Sequence, residues 1–421
     1  MPGGRAGKTT WMPVLDVQQD PDEAGFDASR LERISRHFQR YVDNGRLPGW
    51  SMALARAGQI VHTATSGRRD IESDLPVEGD TLWRIYSMTK PVTSVAAMQL
   101  WEEGRFELKD PVSRFLPEWE DVRVFREGTS LKPLATPARE PVRMWHLLTH
   151  TAGLTYGFHY AHPVDALYRA QGFEWTMPDG VDLAGCCARW ARLPLLFEPG
   201  TEWNYSVATD VLGRVVEVLS REPLDRVFAK RIFAPLGMSS TGFSVGEDDA
   251  HRLAALYTPD PETGLARRSP LSDQALRPPD CLSGGGGLIS TAWDYYRFAE
   301  MLRRGGELDG VRILGPRTMR YMTRNHLPGG RDLEAIGRPL FAETTFDGVG
   351  FGLGFSVTLD PVANRVLASL GEFAWGGAAS TFFFVDPTED LTALFFTQLL
   401  PSSTYPIRPL LRQLVYQALV G

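Results

Sequence analysis

The sequence predicts an α/β domain, an antiparallel sheet flanked by helices, into which a second and mostly helical (all-α) domain is inserted. Strand-like segments lie near the start of the chain and again in its last quarter. The middle, from about residue 110 to 277, combines helical stretches with proline-rich loops and shows little strand patterning. Strands at both ends of a chain can share one sheet when the helices between them form an insertion. We therefore place the α/β domain at residues 1–90 and 285–421 and the helical domain at residues 91–284.

The N-terminal segments predict a helix, a hairpin and a second helix. In "DASRLERISRHFQRYVDNG" the apolar residues recur at helical spacing, with Asp27 as N-cap and Gly45 as terminator. Next, "SMALARAGQIVHTATSG" predicts two strands joined at residues 57–59. The helix "TKPVTSVAAMQLWEEG" carries its proline in the tolerated first turn, and Gly104 follows its end.

The last third of the chain returns to a helix and then to strands. After the helical pattern of "GGGGLISTAWDYYRFAEMLRRGG" come "GFGLGFSVTLD", "NRVLASLGEFAWGG", "STFFFVDP" and "LTALFFTQLL". Short turns such as Asp360-Pro361 and Asp386-Pro387 join these segments, which predicts an antiparallel meander. The final "YPIRPLLRQLVYQALVG" predicts an amphipathic helix beside the first one.

Composition and charge exclude several classes of protein. With 421 residues and 43% hydrophobic content the chain can bury a substantial core. The net charge is -7 and the basic residues are scattered, so we expect no nucleic-acid partner. We find neither an apolar leader nor a run of the ~18 apolar residues that a membrane span needs, and we expect a soluble, cytoplasmic protein without a membrane partner. The cysteines, Cys186, Cys187 and Cys281, lack metal-site spacing and predict buried free thiols.

Ser87 in "WRIYSMTKPVT" begins an S-x-x-K pattern. With 23 serines and five lysines in 421 residues, about 0.3 such matches arise by chance, and a hydroxyl here can also serve as an N-cap. Residues three apart share a helix face, so the Lys90 amine can reach the Ser87 hydroxyl, and the helix dipole favours an alkoxide. Lysine has an ordinary pKa of about 10.4, so Lys90 can act as a base only if burial and neighbouring charge lower its pKa.

Two other glycine-containing patterns compete with this serine. "GFSVG", with Ser244 at its centre, is expected about 0.2 times by chance, and no apolar strand runs into it, so we predict a surface turn. "GGRAGKTT" resembles a phosphate-binding loop, but only three residues separate Gly3 from Gly7 and no strand precedes them. We therefore discard a phosphate loop.

The histidine pairs suggest no metal site. His146 and His150 are four residues apart, as in a zinc-binding helix, but no glutamate lies between them and no third ligand is evident. "HYAH" at residues 159–162 has the same deficiency. We predict structural roles for these histidines, and neither a metal nor a cofactor.

Several segments, in order along residues 50–400, resemble the serine β-lactamase and penicillin-binding superfamily. They are "YSMTKPVTSVAAMQLWEEGRFELKDPVSRFLPEW", "WHLLTHTAGLTYG", "FEPGTEWNYSVATDVLGRVVE", "PLGMSSTGF", "GGGGLISTAWDYYRFAEML" and "GEFAWGGAAS". The resemblance implies a β-lactamase/transpeptidase-like fold with an active site where the two domains meet. It also implies that Ser87 is acylated, that Lys90 is its proton partner and that Tyr205 is the third catalytic residue.

Two departures from the family pattern bear on the substrate. The usual Y-x-N is "YSV", with Val207 in place of the asparagine, and the usual K-T-G or H-x-G is "WGG", with Trp375 at the cationic position. Valine and tryptophan cannot make the polar contacts that hold a β-lactam amide and carboxylate. The W-G-G is similar to that of family VIII carboxylesterases and related fungal acyltransferases, so we expect a small-molecule ester as substrate.

The resemblance also implies a mechanism. Lys90 and a Tyr205 of lowered pKa would share the proton of Ser87 and return it to the leaving alcohol. The backbone amides of Ser87 and Ala378 would hold the oxyanion.

The residues of the W-G-G are predicted to bind substrate. Gly376 and Gly377 suit a close backbone approach, and Trp375 would form a wall of the pocket. Two roles remain for the aromatic stretch "TYGFHYAHPVDALYRAQGFEWTMPDG": it forms a substrate pocket or lid, or it packs within the helical domain.

We therefore predict a serine hydrolase, a carboxylesterase that cleaves small carboxylic esters through an acyl-enzyme on Ser87. An acyltransferase of the same fold is the first alternative, followed by a β-lactamase or D,D-peptidase. A non-catalytic binding module is the last.

Overall fold

A computed structural model of the chain describes residues 15–421. Its strands are β1 Gly49–Arg56, β2 Gln59–Asp70, β3 Leu75–Pro76, β4 Trp83–Arg84, β5 Arg123–Gly128, β6 Pro133–Pro137, β7 Tyr257–Pro259, β8 Ala266–Arg268, β9 Ile289–Ser290, β10 Glu307–Leu308, β11 Val311–Arg312, β12 Val349–Phe351, β13 Ser356–Thr358, β14 Phe373–Gly376, β15 Phe382–Asp386 and β16 Leu391–Thr397. Its α-helices are α1 Ala28–Asp43, α2 Thr89–Glu102, α3 Met144–Leu148, α4 Pro163–Ala170, α5 Leu183–Trp190, α6 Ala208–Ser220, α7 Leu224–Phe228, α8 Ala234–Leu236, α9 Ala292–Arg303, α10 Pro316–Met322, α11 Leu333–Ile336, α12 Pro361–Asn364 and α13 Ile407–Tyr416.

One eight-stranded antiparallel sheet joins the two ends of the chain. Its order is β12-β13-β14-β15-β16-β1-β2-β3. The N-terminal hairpin enters the sheet through β1, whose Trp50 is opposite Thr397 of β16. The C-terminal strands form the predicted meander, so the predicted antiparallel sheet flanked by helices is confirmed.

Helices cover both faces of this sheet. Strand β1 is buried along almost its whole length, because Trp50, Met52 and Leu54 face one apolar layer and Ala53 and Ala55 face another. Helices α1 and α13 close the first layer side by side, as predicted. Helices α2 and α9 lie on the second. A strand with two apolar faces shows no polar alternation, which explains the continuous apolar run "SMALA".

Helix α2 passes through the interior. Eleven of its fourteen residues are buried, and Pro91 lies in its first turn, where no amide donor is required. Strand β4 precedes this helix in the chain and pairs with β9 in a two-stranded antiparallel sheet. The chain then reverses at Tyr86, whose φ of 43° is in the left-handed region. The residues that follow Tyr86 lie against β14, an interior strand of the sheet.

Two details differ from the sequence prediction. The middle segment contains the hairpins β5–β6 and β7–β8, which its proline-rich and charged sequence concealed. In "NRVLASLGEFAWGG" only Phe373–Gly376 forms a strand, because Pro361 begins the short helix α12 just upstream. The division at residues 90/91 and 284/285 stays a prediction.

The N-terminal residues 1–14, with "GGRAGKTT" and most of the segment searched for a leader, lie outside the described part of the chain. No helix in residues 15–421 has the length and apolar character to span a membrane. Cys186, Cys187 and Cys281 are buried and free, as predicted.

Candidate active site

Ser87 lies at the floor of a cavity of about 790 Å³. It belongs to the short 3-10 turn Tyr86–Met88, which leads directly into α2, and it is 9% exposed. The N-cap of α2 is Met88, which makes no side-chain cap bond. Ser87 is therefore not the N-cap hydroxyl that the sequence left open as its alternative role. Its position at the first turn of a helical segment leaves its backbone amide without a partner inside that segment.

Lys90 is the buried cation beside this serine. Its side chain is 1% exposed, and Nζ donates to Ser87 Oγ at 3.3 Å, to the Tyr156 hydroxyl at 2.9 Å and to the Gly285 carbonyl at 2.7 Å. Three donated hydrogens describe an ammonium group. Burial lowers the pKa of Lys90 to about 8, and the charges of Asp210 and Glu343 oppose that shift. The contact with Ser87 is the longest of the three. When Lys90 is neutral, its amine can direct its lone pair at Ser87 Oγ.

Asp210 supports the group that holds Lys90. It is buried on α6, and its Oδ1 accepts from Ser283 Oγ at 2.5 Å and from the Gly285 amide at 2.9 Å. A Cβ on Gly285 would overlap the Asp210 carboxylate, so this close approach requires glycine. Burial raises the pKa of Asp210, while the Lys90 charge lowers it. The sequence analysis missed Asp210 and Gly285, because neither belongs to a catalytic pattern.

Tyr205 packs against Lys90 within an aromatic cluster. Its ring centroid is 4.6 Å from Lys90 Nζ, 5.4 Å from the Trp375 ring and 5.3 Å from the Tyr156 ring. Within residues 15–421 its hydroxyl has no hydrogen-bond partner. Burial and then the charge of Glu343 raise the pKa of Tyr205 well above its ordinary value, although the Ser87 hydroxyl and the Trp375 indole oppose the shift. The expected lowered pKa is therefore wrong, because an apolar aromatic enclosure disfavours the phenolate.

Tyr156 is a further residue of the site that sequence reasoning did not single out. Its hydroxyl accepts from Lys90 at 2.9 Å, and burial raises its pKa well above the ordinary value. Its ring stacks on Phe158 at 4.7 Å, and Phe158 stacks on Trp175 at 4.6 Å. These aromatic residues line the cavity together with Phe173. The stretch whose role was left open therefore supplies a wall of the cavity.

The turn between β14 and β15 brings Ala378 to the cavity. Ala378 lines the same cavity as Ser87, and its backbone amide donates no hydrogen bond among the described residues. A Cβ on Gly377 would overlap the Ile85 carbonyl, so glycine lets this segment approach the Ser87 turn. Ser87 and Ala378 thus both line the cavity with amides that donate no hydrogen bond among the described residues, and an oxyanion needs two such donors.

Trp375 is not a wall of the cavity, contrary to the prediction. It is 0% exposed and packs behind Tyr205, with Phe351 at 5.3 Å on its other side. Gly376 also lies outside the residues that line the cavity, and so does Gly377. Trp375 therefore positions the Tyr205 ring. By contrast, Val207 does line the cavity.

A buried ion pair lies next to the W-G-G segment. Glu343 is 1% exposed, and its Oε2 accepts from Ser402 Oγ at 2.9 Å and forms a close ion pair with Arg408. Arg408 also donates to the Gly377 carbonyl at 3.2 Å. Because Glu343 and Arg408 come from irregular chain and from α13, no sequence motif connected them.

The competing patterns have structural roles. Ser244 is exposed in a turn, without the strand that a nucleophile elbow requires. His146 Nδ1 accepts from the Arg143 amide at 2.9 Å, and burial lowers the pKa of His146 to about 3. His150 contacts Ser206 Oγ at 3.2 Å. In the part of the chain from residue 15 onward, no group of three or more His, Cys, Asp or Glu side chains could hold a metal ion.

Comparison with known proteins gives consistent matches over most of the chain. The family model described as Beta-lactamase matches residues 34–417. Protein Rv1367c of Mycobacterium tuberculosis is 38% identical, covering 88% of this chain and 90% of that protein. Esterase EstB of Burkholderia gladioli is 32% identical, covering 90% and 93%. Among solved structures, EstCE1, "a hydrolase with promiscuous acyltransferase activity", is 30% identical with a TM-score of 0.77 and covers 95% of this chain and 99% of that chain.

Proposed function

This chain belongs to the beta-lactamase family and is an enzyme of the hydrolases with that fold, and on that premise we propose that it is a carboxylesterase that cleaves small carboxylic esters through an acyl-enzyme on Ser87. The observation that carries the proposal is the contact between Ser87 and the buried Lys90 at the floor of the cavity. The 32% identity of this chain to Esterase EstB supports the reaction class, ester hydrolysis.

The chemistry follows from the positions of these groups. Neutral Lys90 takes the proton from Ser87 Oγ as that oxygen attacks the ester carbonyl. The amides of Ser87 and Ala378 stabilise the negative charge on the carbonyl oxygen. The bond between the carbonyl carbon and the leaving oxygen then breaks, and the leaving oxygen takes up the proton held by the Lys90 ammonium and departs as an alcohol. Hydrolysis of the acyl-enzyme follows the same steps in reverse order, with water in place of the alcohol.

Tyr205 acts as a neutral phenol in this scheme. Because its raised pKa keeps the hydroxyl protonated, Tyr205 can donate a hydrogen bond to the leaving oxygen. Tyr156, also protonated, holds Nζ of Lys90 in place through its hydroxyl. Tyr205 thus stabilises the leaving oxygen as a hydrogen-bond donor, and Tyr156 is a positioning residue.

The pH dependence of the reaction tests the role of Lys90. The base is the neutral amine and its pKa is about 8, so kcat/KM for a p-nitrophenyl ester rises with pH through a midpoint near 8. Asp210→Asn removes a negative charge that favours the ammonium, and the midpoint moves to lower pH. Stopped-time assays at constant ionic strength measure both profiles, with Asp248→Asn, at an exposed site outside the cavity, as the control. A profile that stays flat from below the midpoint to above it contradicts this role for Lys90.

Selectivity against β-lactams is a second expected result. Val207 lines the cavity where the family's asparagine would contact a β-lactam amide, and Trp375 lies behind Tyr205 in place of a cation. Two missing hydrogen bonds to charged or amide groups, at about 1.5 kcal/mol each, correspond to roughly 100-fold in rate. Nitrocefin therefore reacts more slowly by about this factor than in a cavity that makes both contacts, and we expect kcat/KM for p-nitrophenyl butyrate to exceed that for nitrocefin. Equal values for the two substrates would show that the substrate class is wrong.

Acyl transfer to an alcohol is the second candidate function. It is favoured by the similarity to EstCE1, which is described as having promiscuous acyltransferase activity. A cavity of about 790 Å³ has room for an acceptor beside the acyl group. Turnover in the presence of increasing alcohol, with both acid and ester products quantified, distinguishes transfer from hydrolysis.

A further inference from the structure

The wall of the active-site cavity carries an excess of negative charge. Its acidic side chains outnumber its basic ones, since Arg277 is the one arginine or lysine that lines it among the described residues. The acidic side chains are Glu174, Asp179, Asp210, Asp273, Asp280 and Glu343.

Only some of these carboxylates are neutralised by neighbouring cations. Asp273 forms an ion pair with Arg268 at 3.1 Å, Glu343 forms one with Arg408, and the charge of Lys90 acts on Asp210. The remaining acidic residues at the mouth are exposed and form no ion pair within residues 15–421; they are Glu174, Asp179 and Asp280. Arg277, which is exposed beside them, offsets one charge. The mouth is therefore net negative.

Glu343 adds a carboxylate deeper in the wall. Its Oε2 is bound to Arg408 and Ser402, neither of which lines the cavity. Its buried Oε1 accepts no hydrogen bond from the described residues. This unpartnered acceptor belongs to a residue that lines the cavity, whereas the partners of Glu343 do not line it. The positive charge of Arg408, for its part, is already neutralised and cannot attract a substrate carboxylate.

An aromatic surface borders the same mouth. Trp175 is 48% exposed and stacks on Phe158 at 4.6 Å. The faces of aromatic rings attract cations. Negative charge, a buried carboxylate with a free acceptor and an exposed indole all favour the same kind of ligand group, a protonated amine.

We propose that this cavity selects esters that carry a protonated amine over esters that carry a free carboxylate, and that Glu343 is the residue that determines this preference. The inference rests on the proposed esterase function, because it concerns the substrate of that same site. Glu343 acts here through its carboxylate, which lines the cavity and neutralises Arg408, whereas Ser87 and Lys90 carry out the reaction.

The test compares matched esters whose ends differ only in charge. One set contains acetates of benzyl alcohol with a methyl, aminomethyl or carboxylate group in the para position, and a second contains ethyl esters of 3-phenylpropanoic acid with the same groups. Product is quantified by chromatography. We expect kcat/KM for the amine to exceed that for the carboxylate by about tenfold in at least one set, with the methyl ester between them, because a cleft of one charge sign raises the encounter rate of the opposite sign. The ratio should fall as salt is added.

Variants distinguish the effect of Glu343 from that of the exposed acidic residues at the cavity mouth. In Glu343→Gln the Arg408 charge is no longer neutralised, so the ratio of amine to carboxylate rates should fall at least tenfold and favour the carboxylate. Since the loss of one partner of a buried ion pair can prevent folding, the exposed double change Glu174→Gln with Asp179→Asn provides a second test, and it should lower the ratio roughly twofold to fivefold. Glu32→Gln on α1, across the sheet from the cavity, is the matched control and should leave the ratio unchanged.

The outcomes distinguish the two claims. If the methyl esters are hydrolysed but the carboxylate esters react as fast as the amines, the charge preference is wrong and the esterase function stands. The same holds if neither the Glu343→Gln protein nor the exposed double variant changes the ratio. If no ester is hydrolysed, the methyl esters included, the proposed function fails and the charge preference fails with it.

Discussion

Ser87→Ala lowers kcat/KM for p-nitrophenyl butyrate by at least about 10⁴-fold, since removal of the nucleophile of a covalent mechanism leaves only binding and oxyanion stabilisation. The side chain lines the cavity and is 9% exposed, so its loss removes one hydroxyl and the acceptor of the 3.3 Å contact with Lys90 without creating a large void. Steady-state kinetics with the purified variant measure the effect.

Ser244→Ala is the matched control for this prediction. Ser244 lies in the exposed "GFSVG" turn, and its substitution should leave kcat/KM within about twofold, as is usual for a surface position. A Ser87→Ala protein that retains most of its turnover while Ser244→Ala loses it would reverse the assignment of the nucleophile.

Lys90→Gln is expected to lower kcat by about 10³-fold, within the usual range for a general base. Glutamine keeps a donor that can bind the Tyr156 hydroxyl and the Gly285 carbonyl, but it cannot accept the proton of Ser87. We expect a much smaller change in KM, because the cavity wall does not include Lys90. The pH midpoint near 8 should also disappear.

Lys230→Gln removes an exposed lysine and serves as the control for the change of charge, since its side chain is 70% exposed. If Lys90→Gln instead raises KM and keeps kcat and the pH profile, Lys90 binds the substrate and another group is the base. Measurement of kcat and KM separately, across the pH range, decides between these roles.

Local sequence patterns predicted the elements that lie on a single stretch of chain. Three features are each encoded within a few residues, and the structure contains all of them. They are the apolar run of β1, the cap at Asp27 and the S-x-x-K pattern at the start of α2. The two hairpins of the middle segment were missed; in the first of them β5 is rich in charge and β6 begins and ends with proline, which are not typical of strands.

The surroundings of Lys90 could not be predicted in the same way. Its partners Tyr156 and Gly285 lie 66 and 195 residues further along the chain, so only the folded structure brings them together. The direction of the Tyr205 pKa likewise depends on burial in an aromatic cluster, which no pattern around "NYSV" encodes. The family resemblance of the W-G-G places Trp375 in the cavity wall, whereas the fold packs its ring against Tyr205 and away from the cavity.

Identification of the acylated residue tests the central claim most directly. The protein is mixed with p-nitrophenyl butyrate, quenched in acid within the first turnovers and digested, and a second sample is labelled with a fluorophosphonate probe; peptide mass spectrometry then locates both adducts. The mechanism predicts a butyryl group and a phosphonyl group on Ser87, and no label at that position in Ser87→Ala. An adduct on Ser244, or turnover that continues with Ser87 unmodified, would contradict the account.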